Sequence, residues 1–215
     1  NVIDFAGISI TNMGTNYYMP YIARLNPDGS GAWVASPTSN DTGNEQIENY
    51  EIQVASHPDG SATLTFMGHF AMNFDNLDLP RAPGVLARSV VAHLDAGGSW
   101  VWVKNVTATH AHIYATPSIS SFSDGSIFVG FSDGSSDTSI GTLNLLGMAS
   151  FEPTSDAWFA AARIDSSGSM IWSYFEDDFG MRAYGSLNRM YAVTDDDDNV
   201  HIMIDAEDSS DSAYF

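Results

Sequence analysis

The 215-residue sequence predicts an all-β fold built from about three copies of one unit, each supplying four antiparallel strands of β-propeller-blade type. Three observations predict it. One phrase recurs as "ARLNPDGSGAW" at 23–33, "AHLDAGGSWVW" at 92–102 and "ARIDSSGSMIW" at 162–172, placing Trp33, Trp102 and Trp172 in register, 69 and 70 residues apart. A second landmark, Asp59-Gly60, Asp124-Gly125 and Asp198-Asn199, follows each Trp by 27, 23 and 27 residues. No stretch combines helix-length apolar periodicity with capping residues.

Each unit reads as two hairpins. In the first, Tyr21, Ala23 and Leu25 alternate with Ile22 and Arg24 before the break at Asn26-Pro27-Asp28-Gly29. Gly29, Gly98 and Gly168 supply the left-handed residue that each tight turn needs. In the second hairpin, Ile52 and Val54 lead into Pro58-Asp59-Gly60, and the chain returns with Leu64 and Phe66 on one face and Thr65 and Met67 on the other. The matching returns are "SIFVGF" at 126–131 and "NVHIMID" at 199–205. Apolar groups on both faces of one strand fit a sheet sandwiched between neighbours, as a propeller blade is. The units are placed at 16–75, 85–145 and 156–208, within a single domain covering 1–215. Residues 1–12 are expected to be the closing strand of a preceding unit, and "SAYF" at 212–215 the start of a following one. Polar segments at 36–49 and 132–156 are expected to be loops on one rim. Three blades do not close a ring, so open edge strands predict self-association or a longer array.

The charge is lopsided: 27 acidic against 7 basic residues give −20, and Lys104 is the single lysine. Such a field repels nucleic acid and anionic membrane surfaces, and it suits a salty, marine-like medium. No apolar run approaches the ~18 residues of a membrane span. The absence of cysteine removes disulfides, thiolate metal sites and thiol nucleophiles.

The third unit, "DAWFAAARIDSSGSMIWSYF" followed by "MYAVTDDDDNVHIMI", resembles the bacterial and archaeal β-propeller repeat often called SBBP. That repeat runs roughly as "DAFVAKLDxSGxxxW" and then "VDxxGNVYVTG". The resemblance extends over about 150 residues and rests on Ala162, Asp165, Gly168, Trp172 and their counterparts. Arg24, His93 and Arg163 stand where the family often has Lys, and Asp205 replaces its terminal Gly. The resemblance implies an exported, cell-surface or periplasmic protein with a structural or binding role toward protein or glycan. It implies no particular reaction.

Candidate sites follow from residue type. The Trp33, Trp102 and Trp172 trio, repeated at one blade position, is expected to be core. Trp100 and Trp158 break the pattern and are the candidates for exposed ligand contacts. "TDDDDNV" sets Asp195, Asp197 and Asn199 at alternate positions, as in oxygen-rich calcium loops, but position twelve is Ala206 rather than a bidentate Glu. His110 and His112 share a strand face at a spacing zinc uses, with His93 in the same unit. Acid pairs such as Asp75 and Asp78, or Glu176, Asp177 and Asp178, fit solvated loops as well as acid–base chemistry. No catalytic residue is assigned, because neither a nucleophile elbow nor a phosphate-binding glycine loop is present. Two alternatives stay open beside the binding module: a carbohydrate-active propeller hydrolase or lyase using rim carboxylates, and a calcium-stabilised adhesion or surface-layer repeat.

Overall fold

The computed structural model describes residues 2–11, 20–39, 52–68, 71–80, 88–108, 116–133, 141–154, 158–177 and 190–204. Each of these nine stretches is one β-hairpin, and strands are the only regular elements among them. The fold class is all-β. No described helix is long and apolar enough to cross a membrane.

The hairpins fall into three types that recur in the same order. A short hairpin comes first: β1 (Val2–Phe5) with β2 (Ile8–Thr11), β7 (Met72–Phe74) with β8 (Leu77–Leu79), and β13 (Leu143–Leu145) with β14 (Ala149–Phe151). The Trp hairpin follows: β3 (Ile22–Leu25) with β4 (Gly31–Ala35), β9 (Arg88–Leu94) with β10 (Trp100–Ala108), and β15 (Trp158–Ile164) with β16 (Met170–Asp177). The third is the Asp-Gly hairpin: β5 (Gln53–Ser56) with β6 (Ala62–Gly68), β11 (Thr116–Ser121) with β12 (Ile127–Asp133), and β17 (Met190–Thr194) with β18 (Val200–Ile204).

This order corrects the sequence reading in three places. Residues 2–11, expected to be one closing strand, form a hairpin of two strands. The stretch 132–156, expected to be loop, contains the equivalent hairpin β13–β14. The turns of these short hairpins hold left-handed residues at Ala6 (φ 49), Asp75 (φ 56) and Leu146 (φ 59), followed by left-handed Gly7 (φ 81) and Gly147 (φ 72) in two of them, a glycine signal that the sequence reading passes over. The third Asp-Gly landmark also slips by one. Asp198 (φ 62) takes the place of Gly60 and Gly125, so the equivalent pair is Asp197-Asp198. His110, His112, Asp178 and residues 212–215 lie outside the described residues.

The sheets straddle the predicted unit boundaries. Two of the three Trp hairpins pair with the Asp-Gly hairpin before them, through β6 with β9 and through β12 with β15. The result is one sheet ordered β5-β6-β9-β10, extended at its outer edge by β13-β14, and a second ordered β11-β12-β15-β16. The remaining hairpins form two-stranded sheets, and the sheets do not close into a ring. Every residue of β6 and β9 is buried, which requires cover on both faces.

Three apolar layers supply that cover. Ile22 and Trp33 of β3–β4 meet Leu64, Phe66 and Val90 on one face of the first four-stranded sheet. Val91, Trp102 and Val106 on its other face meet Val129, Phe131 and Ala162 of the second. The far face of the second sheet, with Phe128, Phe159 and Ala161, meets Met190 of β17. Phe66, Val90, Val91 and Phe131 are fully buried, and burial of such a side chain contributes about 1.5–3 kcal/mol. The innermost strands converge as well. Gln53 on β5 donates from Nε2 to the Met190 carbonyl on β17 (3.2 Å), while its Oε1 accepts from Ser118 and Ile119 on β11.

Candidate functional site

Hairpin connectivity puts the Trp turn and the Asp-Gly turn side by side at one end of each sheet, because Ala62 faces Leu94 and Ile127 faces Ile164 where the turns begin. Each turn is tied by an Asx arrangement. In the Asp-Gly turns, one carboxylate oxygen of Asp59 accepts from the Ser61 amide (2.8 Å) and hydroxyl (2.6 Å), and Asp124 does the same for Ser126. Asp28 caps Ser30 in the first Trp turn; in the other two, Asp95 accepts from Gly97 and Ser99, and Asp165 from Ser167 and Ser169. These bonds favour the ionised form. The serine hydroxyls hold Asp28, Asp59, Asp124 and Asp165 below the usual carboxylate range.

At the corner between the two turns, four equivalent positions carry different chemistry in each sheet. In the first sheet they are His57, Thr63, His93 and Trp102. The Thr63 hydroxyl lies 2.9 Å from His57 Nε2 and 2.8 Å from His93 Nδ1, and the His93 ring stacks on Trp102 at 5.4 Å with an 11° interplanar angle. Burial pulls both imidazoles down, His93 to about 4 with help from the neighbouring His57. In the second sheet the positions are Phe122, Phe128, Arg163 and Trp172. Arg163 lies 3.8 Å above the Phe122 ring and bonds Ser126 and Asp124 of its own sheet. On β17–β18 only two positions exist, Asp195 and His201, paired at 3.0 Å. On β3–β4 the other two exist, Arg24 and Trp33.

A hydroxyl between two imidazoles is the geometry of an activated nucleophile. Here Thr63 is fully buried beneath Trp102, so a substrate carbonyl has no approach, and the trio acts as a polar plug between packed sheets. His57 Nδ1 finds no described partner. The sequence reading missed this trio, because Thr63 and His93 are 30 residues apart; the signal is their shared position relative to consecutive turns.

The predicted site residues fall in different places. Trp158, expected to be an exposed contact, is 1 % exposed, and its indole N–H has no described partner. It opens β15 at the buried end opposite the turns, so a ligand cannot reach it. Trp100, the other candidate, is half-buried edge-on against Phe74 at 4.9 Å, which makes it part of the core. The repeated Trp residues bridge sheets. Trp33 Nε1 donates to the Ala96 carbonyl and its ring covers Gly98; Trp102 Nε1 donates to the Ser166 carbonyl and its ring covers Gly168. Trp172 is 39 % exposed rather than core, and Gly29 has nothing within 4 Å of where a Cβ would stand.

Asp195 spends its carboxylate on its own turn. Oδ1 accepts from the amides of Asp197 and Asn199, and Oδ2 from Asn199 Nδ2 and His201. The His201 contact is the largest of the influences that lower its pKa far below the ordinary value. Asp197 and Asn199 thus serve as its turn partners, and among the described residues no cluster of three or more His, Asp or Glu is placed to hold a metal ion. Asp78 accepts from Asn73, Glu176 from the Tyr174 hydroxyl, and Asp177 from Thr154. No family model matches the chain, and no curated protein matches it.

Proposed function

We propose that the chain is an exported β-propeller-type repeat module with a structural or binding role, each four-stranded sheet being one blade. The observation that carries the reading is the convergence on Gln53 of the first strands of three successive sheets, stacked face to face so that β6 and β9 are covered on both surfaces. That is how blades radiate from a common axis. A binding role fits better than catalysis, because Asp28, Asp59, Asp95, Asp124, Asp165 and Asp195 on the turn rim are engaged in capping, and the hydroxyl–imidazole cluster around Thr63 is sealed. Placement outside the cell follows from the SBBP resemblance alone. The partner is a protein or glycan held by polar contacts.

The test is retention of the protein in native gels cast with a panel of polysaccharides, with mass spectrometry of the soluble fraction beside it. Retention without release of oligosaccharide is expected for a glycan-binding module. Release of defined oligosaccharides would overturn the reading in favour of a hydrolase or lyase.

A further inference from the structure

The joint between the two four-stranded sheets is fastened at its turn end by less than the joint before it. Where β3–β4 meets the first sheet, Arg24 Nη1 donates to the Gly60 (3.2 Å) and Ala96 (3.0 Å) carbonyls, and Trp33 Nε1 donates to Ala96 as well. At the next joint His93 holds the position of Arg24 and turns back to Thr63. Arg24 comes within 2.7 Å of where a Cβ on Gly60 would stand, whereas nothing comes within 4 Å of the same point on Gly125. The one described bond across this end runs from Trp102 Nε1 to the Ser166 carbonyl (3.0 Å). The inner end is held separately, by Gln53 on Ser118 and Ile119. We propose that the turn end is an acid-operated latch. A proton taken up at His93, within the His57–Thr63–His93 cluster, frees Trp102 from Ser166 and opens that end of the joint while each sheet keeps its strands. The device does not depend on the binding role above.

Hydrogen counting shows why the cluster has no room for a charge. Thr63 carries one hydroxyl hydrogen and stands 2.9 Å from His57 Nε2 and 2.8 Å from His93 Nδ1. With both rings uncharged, one ring donates to the hydroxyl and the hydroxyl donates to the other. The direction follows from His57 Nδ1, which is buried with no described partner. A hydrogen there would be a buried donor without an acceptor, so it lies on Nε2, Thr63 donates to His93 Nδ1, and His93 keeps its hydrogen on Nε2. An added proton then has two places to go. On His57 Nδ1 it makes a charged donor with no described acceptor. On His93 Nδ1 it sets two N–H groups against one oxygen and turns the hydroxyl hydrogen out of line. Either way a buried cation lies beside a second imidazole 5.3 Å away. The second place works the latch, because His93 is the ring that Trp102 covers.

The charged groups around the cluster do not offset that cost. Burial and the neighbouring His57 hold His93 down at about 4, and the charges of Asp59 and Asp95 recover only part of the shift. Both carboxylates bond their own turns, Asp59 to Ser61 and Asp95 to Gly97 and Ser99. On the second sheet Asp165 caps Ser167 and Ser169, and Asp124 is paired with Arg163. Lys104, two residues beyond Trp102 on β10, brings charge of the wrong sign. The charged ring therefore needs water, and Trp102 keeps water out. That indole stacks on His93 at 5.4 Å and 11°, yet it lies at the edge of the layer, 8 % exposed, and swings outward by breaking one hydrogen bond. Attraction of a charged imidazole to the indole face offsets only part of the desolvation of a buried unpaired ion. With its ring in water, His93 regains the ordinary histidine affinity for a proton, so acid favours the open form.

The wild-type chain supplies the first test. Hydrogen exchange read by mass spectrometry, corrected for the intrinsic effect of pH, is compared between about pH 7 and about pH 4.5. Exchange is expected to quicken severalfold at 99–104 and 164–170, around Trp102 and the turn it covers, while β6 and β12 stay protected. Acrylamide quenching of fluorescence reads the same step. The share due to Trp102, taken as the difference between wild type and Trp102→Phe, is expected to become severalfold more accessible over that range. His93→Phe keeps a ring against Trp102 and binds no proton there, so in that background Trp102 should stay inaccessible at both pH values. Unchanged exchange around Trp102 at the lower pH would overturn the proposal. So would protection lost in β6 and β12 together with the Trp102 region, since that is unfolding of the whole chain, and so would a His93→Phe variant that opens as wild type does.

Discussion

Trp102 and Trp172 occupy equivalent positions and differ in what lies over them. Trp102 is 8 % exposed, stacked on His93 and bonded to Ser166, so truncation opens a cavity between two sheets and leaves that carbonyl unpaired. Trp102→Ala is expected to cost about 3–5 kcal/mol in urea unfolding. Trp172→Ala is expected to cost less than about 1 kcal/mol, because that ring is 39 % exposed and water already reaches it. Equal losses at the two positions would mean that the unequal cover is wrong. Asp195 makes a second single-residue case. Its five hydrogen bonds hold one turn together, and calcium would have to displace them. Millimolar calcium is therefore expected to shift Tm by less than about 1 °C, because a ligand stabilises only by what it binds in the native state. A clear rise that Asp195→Ala abolishes would restore the calcium-stabilised repeat.

The corner clusters act as units of the sheet, and the first gives a pH dependence. Burial depresses both His57 and His93, so between the unfolded value near 6.5 and the folded value of about 4 for His93 the unfolded chain binds protons that the folded chain does not. Their contribution is fully present above about pH 6.5 and is lost as pH falls toward 4. His93→Phe keeps an aromatic ring against Trp102 and removes the titration, so the gap between the stability curves of wild type and variant should close by about 1–2 kcal/mol over that interval. A constant gap would mean that the imidazole is solvated. The capping carboxylates act lower: their depressed values give stability present above the unfolded carboxylate range and lost as pH falls through the folded values. Elements of this kind were legible only in part. Alternation and the Asp-Gly turns revealed the Trp and Asp-Gly hairpins, because those turns use glycine where the backbone demands it. The short hairpins escaped although left-handed Gly7 and Gly147 mark two of their turns, since strands of three or four residues are too short to show alternation; their signal is recurrence of the turns at 69 and 71 residues. Composition suggested Trp158 and Trp100 as contacts, but strand position decided otherwise, and Trp158 points into the layer between sheets. The His57, Thr63 and His93 corner required knowing that an Asp-Gly hairpin pairs with the Trp hairpin after it, which spacing alone does not say.

At the scale of the molecule, the net charge of −20 bears on every junction between sheets. Lys and Arg are too few to pair the 27 acids, and several basic groups are already committed. Arg88 is buried against the Leu79 carbonyl, with burial lowering its pKa to about 10, and Arg163 is paired with Asp124. The carboxylates on the turn rim therefore face one another mainly across water. Ser123 helps by donating two hydrogen bonds at 2.8 Å to Asp198 of the next turn, but it brings no positive charge. Self-repulsion of this kind destabilises the compact state and is screened once the Debye length falls below the spacing of the charges, from about 30 Å at 0.01 M salt to about 3 Å at 1 M. Raising sodium chloride across that range is expected to stabilise the chain by about 1 kcal/mol, or about 2–4 °C in Tm for a chain of this length. A Tm that did not move with salt would mean that the rim carboxylates are already spaced too far apart to repel one another.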